Sequence, residues 1–153
     1  MGIFETLRTV MRNRITSNGI VDDNRYQREF YNVPDGAVGY YIRETLIDMG
    51  RVEPSQNSEL QTILCEYDVI VEKKWLNPTV TAHGLADKLR AEFNVKNPEK
   101  ISVDLPDMPN VQAWIREPVT CGTAKQEEHY YILPVLVYVE ILISYGGGNG
   151  NIR

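Results

Sequence analysis

The chain has 153 residues and a mass of 17.5 kDa, with 42% hydrophobic and 24% charged residues, a composition that fits one globular domain. A chain of this length can bury roughly 70% of the surface it exposes when unfolded, so it needs neither a disulfide scaffold nor a structural metal, and the disordered class is excluded. Sixteen basic against 21 acidic residues give a net charge of −5, which argues against a surface that grips nucleic acid through phosphate contacts.

Residues 3–15 are predicted as an amphipathic helix, because Ile3, Phe4, Leu7, Val10, Met11 and Ile15 recur at the spacing that aligns them on one face. Arg8, Arg12 and Arg14 lie elsewhere on that helix, opposed within it only by Glu5. They form either a solvated face or a docking face for an acidic neighbour. The polar stretch 22–39, with a turn expected at Pro34-Asp35-Gly36, is interleaved with Tyr26, Phe30 and Tyr31. A first strand is expected over 40–49, followed by a long loop over 50–59 that holds Gly50, Pro54, Ser55, Asn57 and Ser58.

Residues 62–73 alternate: Ile63, Cys65, Tyr67, Val69 and Val71 point one way, and Glu66, Asp68 and Glu72 the other. One face is expected to be core and the other acidic. The acidic row is either a solvated face or a wall with a purpose. Asn77 is predicted to cap a second helix with Pro78 in its first position, its apolar stripe being Ala82, Leu85, Ala86, Leu89 and Phe93. Pro98, Pro106 and Pro109 leave room for only a short extended piece at 101–105. Residues 111–119 alternate again. The last strand, 130–145, is apolar at every odd position from Tyr131 and mixed at the even ones, as for a central strand with one face fully buried. The Gly-rich residues 146–153 are expected to be a flexible tail after a single domain spanning 1–145. The predicted fold is α+β: an antiparallel sheet of four strands or slightly more, with two helices packed on one face.

No set of residues closes into a catalytic or ligand site. Cys65, His83, Cys121 and His129 are scattered one per element, which is not zinc spacing, and Cys121 with His129 makes an incomplete pair. Glu127-Glu128 reads as surface charge, and the glycines of 146–150 are not followed by a helix that could receive a phosphate. Neither a catalytic residue, a cofactor nor a metal is therefore expected. The start of the chain lacks a basic stretch followed by an apolar one, and the apolar run 131–145 is shorter than a membrane span of about 20 residues. A cytosolic protein without a membrane partner is expected. Tyrosine supplies nine of the aromatics against three phenylalanines and two tryptophans, and Tyr26, Phe30, Tyr31, Tyr40 and Tyr41 lie outside any obvious core pattern, which favours an assembly protein.

The segments Tyr40-Tyr41-Ile42-Arg43-Glu44-Thr45, Tyr67-Asp68-Val69-Ile70-Val71, Ala86-Asp87-Lys88-Leu89 with Phe93, and Leu133-Pro134-Val135-Leu136-Val137, in this order, resemble the tail terminator proteins of long-tailed bacteriophages. The resemblance covers most of residues 1–145 and rests on no diagnostic chemical motif. It implies a non-enzymatic virion protein, made in the host cytoplasm, that forms a six-membered ring at the head-proximal end of the tail tube. Its partners would be copies of itself, the tail tube protein and neck proteins, with DNA passing through the lumen without sequence-specific binding. A head-to-tail connector of the same particle is the neighbouring alternative, and a small cytosolic enzyme or ligand-binding domain a more remote one. On this resemblance Glu66, Asp68 and Glu72 would face the lumen or the exterior. Arg8, Arg12, Arg14, Tyr26, Phe30, Tyr31, Tyr40 and Tyr41 would make subunit contacts, and Arg51, Glu53, Gln56, Asp104 and Asp107 would sit on contact arms.

Overall fold

A computed structural model describes residues 2–28, 39–93, 101–115 and 119–145. The expected turn at 34–36, Phe30, Tyr31 and the tail 146–153 lie outside the described residues. Helix α1 spans Ile3–Ser17, and a short 3-10 turn at Asp23–Arg25 leads into β1, Tyr26–Arg28. Strands β2, Tyr40–Ser55, and β3, Ser58–Glu72, form one long hairpin, and α2 spans Pro78–Phe93. Four strands follow β3 and α2 in the second half of the chain before the last one ends the fold: β4, Ile101–Val103; β5, Val111–Ile115; β6, Thr120–Cys121; and β7, Lys125–Gln126. That last strand is β8, Tyr130–Ser144.

The sheet runs β1-β2-β3-β8-β5-β4, and the short β6 and β7 also pair with β8. Because β3 pairs with β8 along its whole length, from Ser58↔Ser144 to Glu72↔Tyr130, strands β5, β6 and β7 line up in succession along the other edge of β8. The α+β class with two helices is as expected, but the sheet is larger and mixed. Among the described residues it has eight strands, and β1 runs parallel to β2 through Tyr26↔Ile42, Gln27↔Arg43 and Arg28↔Glu44. Three residues of β1 are too few to show an alternation, so period alone could not reveal them.

Strand alternation decides which side carries the core. Ile63, Cys65, Tyr67, Val69 and Val71 of β3 are all fully buried, as are Val135, Val137, Val139 and Ile141 of β8. They share one cluster with Leu7, Met11 and Ile15 of α1 and with Ala82, Leu85, Ala86, Leu89 and Phe93 of α2. Tyr67 lies nearly parallel to the Phe93 ring, with centroids 6.2 Å apart. Helix α2 buries the whole stripe its spacing laid out, whereas α1 buries Leu7, Met11 and Ile15, half-buries Ile3 and Val10 and leaves Phe4 exposed; burial of these stripes holds the helices far more firmly than propensity would.

Three expectations about element limits are corrected. Residues 50–59 are not a loop: β2 and β3 continue to a tip at Gln56-Asn57. Gly50 occupies a bulge with φ +115, its N–H bonded to the Asp48 carboxylate at 2.9 Å, and the Ser55 and Ser58 hydroxyls meet at 2.8 Å across the tip. Glycine at a bulge and proline on an edge strand are compatible with pairing, so turn-forming composition here does not end the strand. Asn77 has φ +49 rather than the extended backbone of an N-cap, although its carbonyl accepts the Thr81 N–H at 2.9 Å. Of the strand expected over 111–119, Val111–Ile115 form β5, residues 116–118 lie outside the described residues, and Thr120 and Cys121 pair farther down β8.

Candidate functional site

The arginines of α1 find their acids inside this chain. Arg8 reaches Glu44 of β2 with its Nε, and its Nη1 lies 3.1 Å from Glu5, which also receives Arg28 at 3.1 Å. Glu44 is wholly buried, because alternation along β2 places it on the helix side next to Ile42, and the Tyr26 hydroxyl donates to its Oε1 at 2.8 Å. Burial pushes the Glu44 carboxyl above the usual range, opposed by the Tyr26 hydrogen bond and the Arg8 charge. The same burial, with Glu44 beside it, raises Tyr26. Arg12 pairs with Asp23 at 3.4 Å and covers the Tyr26 ring at 5.4 Å. Arg14 pairs with Glu92 at 3.0 Å and covers the Phe93 ring at 5.3 Å. The docking face expected for an acidic neighbour is thus a set of intrachain contacts that fasten α1 to β1, β2 and α2.

The acidic row lies on the side of the sheet opposite the helices, as alternation requires, but it is not a bare solvated wall. Asp68 is only 6% exposed, and its Oδ2 receives Arg43 at 3.1 Å. Asp68 beside it, through hydrogen bonding and charge, together with burial pushes the Glu66 carboxyl up to about 7. Glu72 is half-buried, 3.8 Å from Lys74. The physical cause is the apolar company on the same side. Leu64 and Ile70 are buried there, and Tyr41, Ile70 and Ile132 form a small second cluster backed by Tyr130. The register sets Glu66 opposite Leu136 and Asp68 opposite Pro134.

The remaining expected contact residues divide in the same way. Tyr26 and Tyr41 are buried, so both are core residues rather than subunit contacts. Tyr40 is half-buried between Trp75, centroids 6.1 Å apart, and the Arg25 guanidinium 4.0 Å above its ring. Arg51 is held by Glu59 at 3.2 Å, while Glu53 and Gln56 are exposed at the hairpin end. Asp104 and Asp107 are exposed between β4 and β5, with Asp107 in a left-handed turn conformation at φ +61. Cys65 is a buried free thiol pushed up to about 12 by burial, and Cys121 is exposed. His83 lies 3.5 Å from the Tyr131 hydroxyl, whereas His129 is exposed beside Glu128, so these residues do not converge. Among the described residues no three of His, Cys, Asp and Glu gather in metal-binding geometry, and no helix is long and apolar enough to cross a membrane.

Sequence reasoning gave no role to two features. One is Glu44, whose position two residues beyond Ile42 was the available signal of burial. The other is a pair of exposed apolar groups: Ile47, Met49 and Val52 on the outer half of β2, and Leu76 and Val80 at the start of α2. Met49 is 52% exposed, Val52 61%, Leu76 80% and Val80 69%. Apolar side chains grouped and exposed in this way mark interaction surfaces more often than isolated ones do.

No protein family profile matches the chain, and no curated protein does. Among solved structures the chain is similar to one whose name says nothing of its activity, with a TM-score of 0.64 and 13% sequence identity over 92% of this chain and 96% of that one. At that identity the likeness is one of fold, and it extends over nearly the whole of both chains.

Proposed function

We propose that this protein is a structural component of a phage tail, a terminator that assembles as a closed ring, six-membered by resemblance, at the head-proximal end of the tail tube. The observation that carries the proposal is the presence of two different exposed apolar groups, one on β2 and one at the start of α2. A ring built head to tail needs two distinct surfaces on every subunit, whereas a two-fold dimer needs only one that matches itself. The four sequence segments that resemble tail terminators add support, since each lies within a regular element: β2, β3, α2 and β8. In the virion such a ring would join the tube to neck proteins and let DNA pass through its lumen. The acidic row is not carried forward as a lumen wall, because Asp68 is buried and tied to Arg43.

Native mass measurement and negative-stain imaging of the concentrated protein test the proposal. The expected result is a species several times 17.5 kDa with an axial hole. A protein that stays monomeric, or that builds only two-fold dimers, would overturn it.

A further inference from the structure

On the side of the sheet away from the helices, one buried acceptor lacks a donor. Asp68 is 6% exposed and gives its Oδ2 to Arg43 at 3.1 Å, but its Oδ1 is shut off from water and no described donor reaches it. A buried carboxylate oxygen left in that state is costly, so a proton from a close neighbour is called for.

The elements around Asp68 narrow the choice. Strand β8 places Leu136 and Pro134 opposite Glu66 and Asp68, and neither side chain can donate. Strand β2 brings Arg43, already bound to Oδ2, and Tyr41, whose hydroxyl feels Arg43, Tyr130, Glu127 and Asp68 but is not bonded to Oδ1. Strand β7 brings Lys125, which is exposed and acts on Glu66 by its charge alone. Both helices pack on the other side. Glu66 remains: it stands two residues before Asp68 on the same side of β3, half-buried, and the two carboxyls are within hydrogen-bonding reach of each other.

We propose that Glu66 donates its proton to Asp68 Oδ1, so that the two carboxyls hold one proton between them and form a pH-operated clip on this side of the sheet. While the proton is present, Glu66 is tied to Asp68, and Arg43 answers the single negative charge of the pair. When the proton leaves to solvent, two carboxylates face one arginine, and Glu66 turns outward, away from Asp68. The release falls at about 7, because Asp68 and burial both oppose a charge on Glu66. The charge of this side of the sheet and the position of Glu66 therefore change across neutral pH. The clip goes beyond the ring proposal and does not depend on it.

NMR of the full chain, isotopically labelled at the carboxyl carbons of Glu and Asp, tests the clip. The Glu66 signal should titrate with a midpoint at about 7 rather than 4.5, and the Asp68 signal should move in the same step. Asp68→Asn keeps the shape but removes the charge, and should lower the Glu66 midpoint by about one pH unit or more. Glu66→Gln puts an amide N–H where the proton was, and should leave the Asp68 signal flat across neutral pH. Circular dichroism verifies that both variants fold; if Asp68→Asn does not, the native titration and Glu66→Gln decide. A Glu66 midpoint near 4.5, or an Asp68 signal that stays still while Glu66 titrates, overturns the clip. So does a midpoint unmoved by Asp68→Asn, which would show that burial alone raises Glu66.

Discussion

Glu44 has no access to solvent, so its carboxyl depends on Arg8 and the Tyr26 hydroxyl for everything water would otherwise supply. Removing one member of a buried pair leaves the other uncompensated and costs about 3–5 kcal/mol, while replacing both with apolar groups often costs much less. Arg8→Ala is therefore expected to destabilise by about 3 kcal/mol or more, and Arg8→Met/Glu44→Leu by less than the sum of its single changes. Urea denaturation of the four proteins measures this, and an Arg8→Ala loss below about 1 kcal/mol would show that the pair contributes little. Glu66 makes a different prediction, set by pH. Its carboxyl is raised to about 7 in the folded protein through Asp68 and burial, so between about 4.5 and 7 the folded state binds more protons at this site than the unfolded chain does. The stability contributed by this group is present at low pH and is lost as pH rises through that window. Glu66→Gln should remove the loss, so that the stability of the variant relative to the native protein increases from pH 5 to pH 8. An unchanged difference across that range would refute the raised Glu66 carboxyl.

At the scale of elements, the start of the long hairpin depends on one close approach. Gly39 has φ +93, its carbonyl accepts the Glu72 N–H at 2.7 Å, and a Cβ added there would lie 2.4 Å from the Trp75 ring. Gly39→Ala combines a backbone conformation that L residues avoid with a clash against an indole that packs on Tyr40, and should cost about 2–5 kcal/mol. Trp75→Ala removes the clash but not the backbone strain. The double variant should therefore lose less stability than the two single losses added together, and full additivity in a thermal or urea cycle would contradict the contact. The stripes of both helices and the core side of β3 and β8 were legible because period 3.6 and period 2 are local properties of the chain. The outer half of the hairpin was not. Its Gly, Pro, Ser and Asn residues carry the same composition in a loop as at a bulge, an edge and a tight tip, and only the partner strand distinguishes these cases.

For the whole molecule, one principal cluster joins α1, α2 and the sheet, while the side of the sheet away from the helices holds a second, smaller cluster around Tyr41, Ile70 and Ile132. That asymmetry explains which sites were misread. Residue spacing alone settles the α+β class, the two amphipathic helices and which residues of β3 share a face, since each follows from a continuous segment. It also determined that Cys65 is a core residue, from its place among Ile63, Tyr67 and Val69. The parallel addition of β1, the pairing of Arg8, Arg12 and Arg14 within the chain and the burial of Asp68 depend instead on long-range packing. The same holds for Ile47, Met49, Val52, Leu76 and Val80, which are among the apolar side chains left outside, with Phe4 and Tyr145. The physical reason is common to all of these. Periodicity states which side chains point together, but their exposure and their partners depend on what residues distant in the chain bring beside them, as Arg8 comes to Glu44 and Pro134 to Asp68.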